Sequence, residues 1–154
     1  MIYEGDFSSP AGRFVLIVAR FNGFVVEQLA AGALDALNRH GIDTERIDIV
    51  RVPGSYEIPL IAQKLGKSGR YAAVICLGCV IRGDTDHYDY VAGAAANGIA
   101  NAALNCGVPV IFGVLTCDTL EQAIHRAGAK AGNKGFEAAV TAVEMVNLLA
   151  KLPA

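Results

Sequence analysis

The chain has 154 residues, a formal net charge of −2, four cysteines and only 18% charged residues. That length suits one domain able to bury roughly 70% of its unfolded surface without disulfides or metals. Near-neutral charge without a long like-charge run gives no support for nucleic-acid or anionic-membrane binding. No apolar run approaches the ~18 residues of a membrane span, and Met1-Ile2-Tyr3-Glu4-Gly5-Asp6 lacks the layout of a signal peptide, so a cytoplasmic protein is expected.

The first element in chain order is Ile2-Tyr3, a β-prone stretch with no evident partner in its own chain. Apolar runs at 14–18, 72–77 and 108–114 predict buried parallel strands, and 47–52, which alternates more, predicts a strand nearer an edge. Helical patterns fall between them. Residues 25–40 carry Val25, Leu29, Ala33, Leu34 and Leu37, with Gly41 as a stop. Residues 57–65 form a shorter helix that must begin near 56–58, because Pro59 is tolerated only in a first turn. A helix at 89–106 is built from Ala, Gly and Asn; one at 119–126 has Thr119 as its cap; the last spans 135–152. Strands alternating with helices on short loops predict one α/β domain over residues 1–154. The expected fold is a flavodoxin-like three-layer sandwich with a central four-stranded parallel sheet, plus a short N-terminal strand.

Counted with its 17 glycines and without its 5 tyrosines, roughly 61% of the chain is apolar, against a usual ~45–50%. One explanation is a second buried surface between copies of the chain; the other is an Ala- and Gly-rich domain. Residues 91–104 have almost no large apolar side chain, so that helix suits close packing against identical helices.

Ligands of such a sheet bind beyond the carboxyl ends of the strands, and the loops there carry the chemistry. After the first strand, Ala19-Arg20-Phe21-Asn22 offers an aromatic that either stacks on a flat heterocycle or folds back on the core. After the second, Pro53-Gly54-Ser55-Tyr56-Glu57 sets a sharp turn whose hydroxyl, amide and carboxylate suit a polyhydroxylated ligand, or simply cap a helix. After the third, Gly83, Asp84 and Thr85 can cradle an anion. His87 is the histidine at the ligand edge, for proton transfer or a capping role. After the fourth come Arg126, suited to grip phosphate, and Lys134 in a Gly-Asn-Lys-Gly turn.

Cys76 and Cys79 form a C-x-x-C, but within a buried strand rather than at a helix N-terminus, and no second ligand pair completes a zinc site. Gly66-Lys67-Ser68 and Gly128 to Lys134 both fail the spacing of a phosphate-binding P-loop.

Five segments together resemble the lumazine synthases: Ala19-Arg20-Phe21-Asn22; Val52-Pro53-Gly54-Ser55-Tyr56-Glu57-Ile58-Pro59; Ile81-Arg82-Gly83-Asp84-Thr85-Asp86-His87; Phe112-Gly113-Val114-Leu115-Thr116; and residues 127–135. They occur in family order and cover nearly the whole chain. The resemblance implies a transferase of riboflavin biosynthesis. It would condense 5-amino-6-(D-ribitylamino)uracil with 3,4-dihydroxy-2-butanone 4-phosphate to give 6,7-dimethyl-8-ribityllumazine, phosphate and water, with no metal or redox cofactor. It further implies that Phe21 stacks on the pyrimidine, that Ser55, Tyr56 and Glu57 hold the ribityl chain and ring edge, and that Cys79, Val80 and Ile81 line the pyrimidine site largely through backbone. Asp84 and Thr85 would bind phosphate through backbone and hydroxyl, and Arg126 would grip it. Lys134 is counted with the pyrimidine and ribityl contacts, near Arg126. His87 would transfer protons, and Phe112 would come from a neighbouring subunit. A homo-oligomer is implied, a pentamer that closes into a sixty-subunit icosahedral shell, with riboflavin synthase as a further partner. A flavin-like carrier without turnover and a purely structural shell protein are the competing readings.

Overall fold

A computed structural model describes residues 1–83 and 86–154. The elements run β1 (Arg13–Ala19), α1 (Gly23–Arg39), β2 (Ile47–Val52), α2 (Ile58–Lys67), β3 (Tyr71–Ile81), α3 (His87–Cys106), β4 (Val110–Cys117), α4 (Leu120–Arg126) and α5 (Lys134–Lys151). Single 3₁₀ turns at Thr44–Arg46 and Ser55–Glu57 lead into β2 and α2. The strands pair in parallel in the order β2-β1-β3-β4, so β1 and β3 are central. This is the α/β sandwich expected from the alternation of strand and helix runs.

Side-chain alternation divides the core into two layers. On β1, Phe14, Leu16 and Val18 face α1 and α5, while Val15, Ile17 and Ala19 face α2 and α3. Complete burial of Phe14 and Leu16 contributes about 1.5–3 kcal/mol each. Both β1 faces are apolar because both are covered, which explains an unbroken run where a half-exposed strand would alternate. β2, paired only to β1 among the described residues, alternates part-buried Asp48 and Val50 with exposed Ile49 and Arg51. Thr119 Oγ1 accepts from the Gln122 amide at 3.1 Å and starts α4; Asn133 Oδ1 accepts from the Phe136 amide at 3.0 Å and starts α5. Gly41 and Gly107, with φ of +84° and +75°, end α1 and α3 in the left-handed region. Among the described residues, no helix is long and apolar enough to cross a membrane.

Three expectations need correction. The short N-terminal strand is not formed within the chain. Residues 4–8 instead run against α5, where Lys151 Nζ meets Asp6 Oδ2 at 2.8 Å and Asn147 Nδ2 donates to the Asp6 and Ser8 carbonyls. β3 does not stop at Leu77 but continues through Gly78 to Ile81, because β4 runs on beside it and pairs Val114–Cys117 with those residues. A glycine that reads as a strand break is present for another reason: a Cβ at Gly78 would run into the Ser55 hydroxyl. Likewise α3 begins at His87 and α5 at Lys134, two residues that read as loop.

Candidate active site

The chain leaving β1 is turned by two backbone bonds, Arg20 N–H to the Val52 carbonyl and Phe21 N–H to the Pro53 carbonyl, each 2.9 Å. Asn22 then takes φ +58°, a left-handed conformation that asparagine tolerates better than most residues. Its side chain does not cap α1; Nδ2 instead reaches across to donate to the Cys79 carbonyl at 2.8 Å. The consequence is that Phe21 stands 69% exposed rather than folded into the core. Its ring lies against Gly54, where a Cβ would come within 2.6 Å of the ring.

Beyond β2, Ser55 is buried while Tyr56 is 60% exposed. Pro59 falls in the first turn of α2, as its missing N–H requires. Beyond Leu77 the sheet opens. β1 pairs with β3 only up to Val18↔Leu77, whereas β4 follows β3 to Ile81. Successive backbone groups of a strand point to opposite edges. The amides of Val74 and Arg82 bond toward β4 and the Cys79 carbonyl meets Asn22 on the other side. The backbone groups of Cys79 and Ile81 therefore face the edge that β1 has left. That edge floors a cleft of about 240 Å³ lined by Phe21, Asn22, Ser55, Cys79, Val80, Ile81, His87, Tyr88 and Val91. A second cleft of about 340 Å³ shares Phe21, Ser55, His87 and Val91 and adds Tyr56, Glu57 and Tyr90. His87, exposed in the first turn of α3, borders both.

Phe112, Arg126 and Lys134 are elsewhere. They line a separate cleft of about 330 Å³, with Val114, Thr116 and Glu137, along β4, whose outer edge has no strand partner among the described residues. No residue is shared between this cleft and those around His87. One chain thus gathers Phe21, Ser55, Tyr56, Glu57, Cys79, Val80, Ile81 and His87, and holds Phe112, Arg126 and Lys134 apart. Asp84 and Thr85 lie outside the described residues. Another cleft, about 490 Å³ between α1 and the α4–α5 connection, contains none of the expected site residues.

The C-x-x-C pair is buried in β3 and held protonated. Burial pushes the Cys79 thiol up to about 12, with Cys117 adding to the effect, and raises Cys76 by desolvation alone. Asn22, Tyr88, Tyr90 and Val91 were not singled out from the sequence as site residues. For Asn22 the signal was present, an asparagine in a strand-to-helix turn; for Tyr88 it was hidden, because starting α3 at residue 89 leaves it without a face.

Residues 11–150 match the family model of 6,7-dimethyl-8-ribityllumazine synthase. The match spans nearly the whole chain, which belongs to this family and is an enzyme of riboflavin biosynthesis, a transferase.

Proposed function

From that membership and the two separate groups of side chains, we propose that the chain condenses 5-amino-6-(D-ribitylamino)uracil with 3,4-dihydroxy-2-butanone 4-phosphate. The product is 6,7-dimethyl-8-ribityllumazine, and each active site is built from two subunits. One observation carries this reading. An aromatic ring, an open strand edge and a histidine share one cleft, while Arg126 and Lys134 line another on the same chain. The pyrimidine stacks on Phe21 and takes backbone hydrogen bonds along residues 79–81, with its ribityl hydroxyls toward Ser55, Tyr56 and Glu57. A neighbour brings Phe112 over the ring, Lys134 to the pyrimidine and ribityl contacts and Arg126 toward the phosphate; Asp84 and Thr85 contribute backbone and hydroxyl donors.

The chemistry needs registration more than activation. The ring amine attacks the ketone carbon, and the imine forms with loss of one water. Release of the proton on the hydroxyl-bearing carbon expels phosphate with the C–O electron pair and leaves an enol, which takes up a proton at its terminal carbon to become a methyl ketone. The ribityl-bearing nitrogen attacks this new carbonyl, and a second water leaves as the ring closes. Amines and ketones condense unaided, so holding both in near-attack geometry supplies much of the rate, and His87 assists the proton transfers for roughly 10²-fold. Mixing both substrates with the protein is expected to produce the lumazine chromophore and phosphate in equal amounts and far faster than without protein; no acceleration over the protein-free reaction would overturn the reading.

The same proposal requires assembly: a single catalytic domain in a pentamer, closing into a sixty-subunit shell in the cytoplasm, with riboflavin synthase as the partner that uses the product. Three features support it. Met1 and Ile2 are 103% and 83% exposed and available to a neighbouring sheet edge. The outer face of α3 carries Ala96, Asn97, Ala100 and Asn101, while Gly98 packs on Pro59 inside the chain. The α4–α5 connection is short, pinned by Asn133 Nδ2 to the Gln28 and Ala127 carbonyls, and α5 presses so closely on α1 that a Cβ at Gly135 would strike the Leu29 carbonyl. A fixed helix angle is what closed symmetry demands. Solution mass should be five or sixty times the 16.1 kDa chain; a monomer or dimer at micromolar concentration would overturn it.

A further inference from the structure

Arg82 follows the end of β3 and borders none of the clefts described above, yet it touches four groups: one on β4, one just beyond it and two on α3. Its backbone N–H donates to the Cys117 carbonyl at 2.9 Å, continuing the β3–β4 ladder past Ile81. Its Nε meets Asp118 Oδ1 at 3.1 Å, just beyond β4. Its Nη2 lies 3.8 Å from Asp89 Oδ1 in the first turn of α3, and its guanidinium carbon sits 4.4 Å from the Tyr88 ring centroid. A planar guanidinium can serve a carboxylate on one edge, another at its tip and an aromatic face at once. Lysine cannot. The carboxylates of Asp118 and Asp89 raise the Arg82 pKa further, so the group is always charged.

The geometry of these contacts is that of a clasp. Tyr88 and Asp89 follow His87 directly, and Tyr88 lines the same cleft as His87, Phe21 and Val80. What Arg82 holds is the first turn of α3 against the end of β4. We propose that Arg82 is a positioning residue for the condensation: through Tyr88, Asp89 and Asp118 it sets where His87 stands over the pyrimidine cleft. This rests on His87 being the proton-transfer residue. The ion pairs are half exposed or more, and such pairs add little to global stability. Their effect is therefore on local geometry, and misplacing a reacting group by about an ångström is costly to rate.

The test is a double-mutant cycle on the assembled protein: wild type, Arg82→Met, His87→Ala and the double variant. Methionine keeps the stem over Tyr88 and removes both ion pairs. If Arg82 acts through His87, Arg82→Met lowers kcat roughly tenfold in the wild-type background, a part of what the histidine itself supplies, and by less than about twofold when His87 is already alanine. Equal losses in both backgrounds would mean a generally structural role and overturn the proposal. Arg82→Lys should recover only part of the loss; full recovery would show that the fork is unnecessary and overturn it too. Hydrogen–deuterium exchange separates this from the reading beneath it. Amides at the start of α3 should exchange faster in Arg82→Met while those of α5 do not change. If wild type forms no lumazine, the functional reading fails, and the exchange result alone decides the clasp: unchanged protection in that turn overturns it.

Discussion

The cleft at the carboxyl ends of β1, β2 and β3 and the cleft along β4 draw on the same sheet but carry complementary chemistry. The first has an exposed aromatic, an unpaired strand edge, a carboxylate and a histidine: groups that recognise a flat heterocycle, a polyol and a proton. The second has Arg126 and Lys134 beside Phe112: two cations and an aromatic ring, which suit an anion and a flat face. On the proposed reading, a two-substrate condensation on this chain is contingent on assembly, with recognition supplied by one subunit and anchoring by the next.

The largest expected effect is loss of the anchor. Arg126→Ala should lower kcat/KM by on the order of 10²- to 10³-fold, as truncating one partner of a desolvated charge pair does. His87→Ala should cost roughly 10²-fold, since water can take over part of the proton transfer. Steady-state kinetics on both variants tests the ranking, and a more severely impaired histidine variant reverses it. The sharper experiment combines them. If the two clefts belong to one composite site, co-assembling His87→Ala with Arg126→Ala subunits creates intact sites at random junctions, roughly a quarter of the total in a closed ring. Activity should rise well above either parent. Recovery no greater than the mean of the two parents would show that each chain completes its own site.

The middle effect isolates recognition. Phe21→Ala removes the ring that stands 69% exposed over Gly54. It should weaken aminouracil binding by about 1–2 kcal/mol, roughly 5- to 30-fold, and leave the apparent affinity for the ketone phosphate nearly unchanged. Phe21→Tyr should be mild. Titration of the aminouracil by fluorescence distinguishes these; normal binding by the alanine variant would remove Phe21 from the site.

How much of this was legible in the sequence divides along the same line as the clefts. The sheet was legible, because doubly covered strands must be continuous apolar runs: 14–18 and 72–77 name β1 and most of β3, and the alternation of 47–52 marks an edge. Residues local to one strand end were legible too, which is why Phe21, Ser55 and His87 fall together. What was not legible depends on partners distant in sequence. Gly78 reads as a stop and is in fact a strand residue relieved of its Cβ by Ser55. The open edge at Cys79 and Ile81 exists only because β1 ends before β3 does, a difference in length between two strands fifty residues apart. The separation of Arg126 from His87 is likewise set by the side of β4 on which α4 lies. Ile2-Tyr3 has strand propensity but pairs with no strand of its own chain among the described residues, and the residues after it, 4–8, dock on α5.

The smallest expected effect concerns the residue that looks most reactive on paper. Cys79 lines the pyrimidine cleft and belongs to a C-x-x-C, so a nucleophilic or redox thiol there would undo the division of labour between the clefts. Burial argues against it. With its pKa pushed up to about 12, the thiolate fraction at pH 8 is on the order of 10⁻⁴, against roughly a quarter for an ordinary thiol. What Cys79 offers the cleft is its backbone, with the carbonyl already held by Asn22. Cys79→Ala should therefore leave kcat/KM within about threefold, since the volume change is small and the strand edge is unaltered. Asn22→Ala should cost more than Cys79→Ala, because it releases that carbonyl and the left-handed turn that holds Phe21 outward. Alkylation of the native protein with iodoacetamide at pH 8 gives the direct check. Cys106, the one cysteine of the four that is not buried, should react, and Cys76, Cys79 and Cys117 should not. Rapid labelling of Cys79 together with loss of activity would make its side chain, rather than the open edge of β3, the feature that defines the cleft.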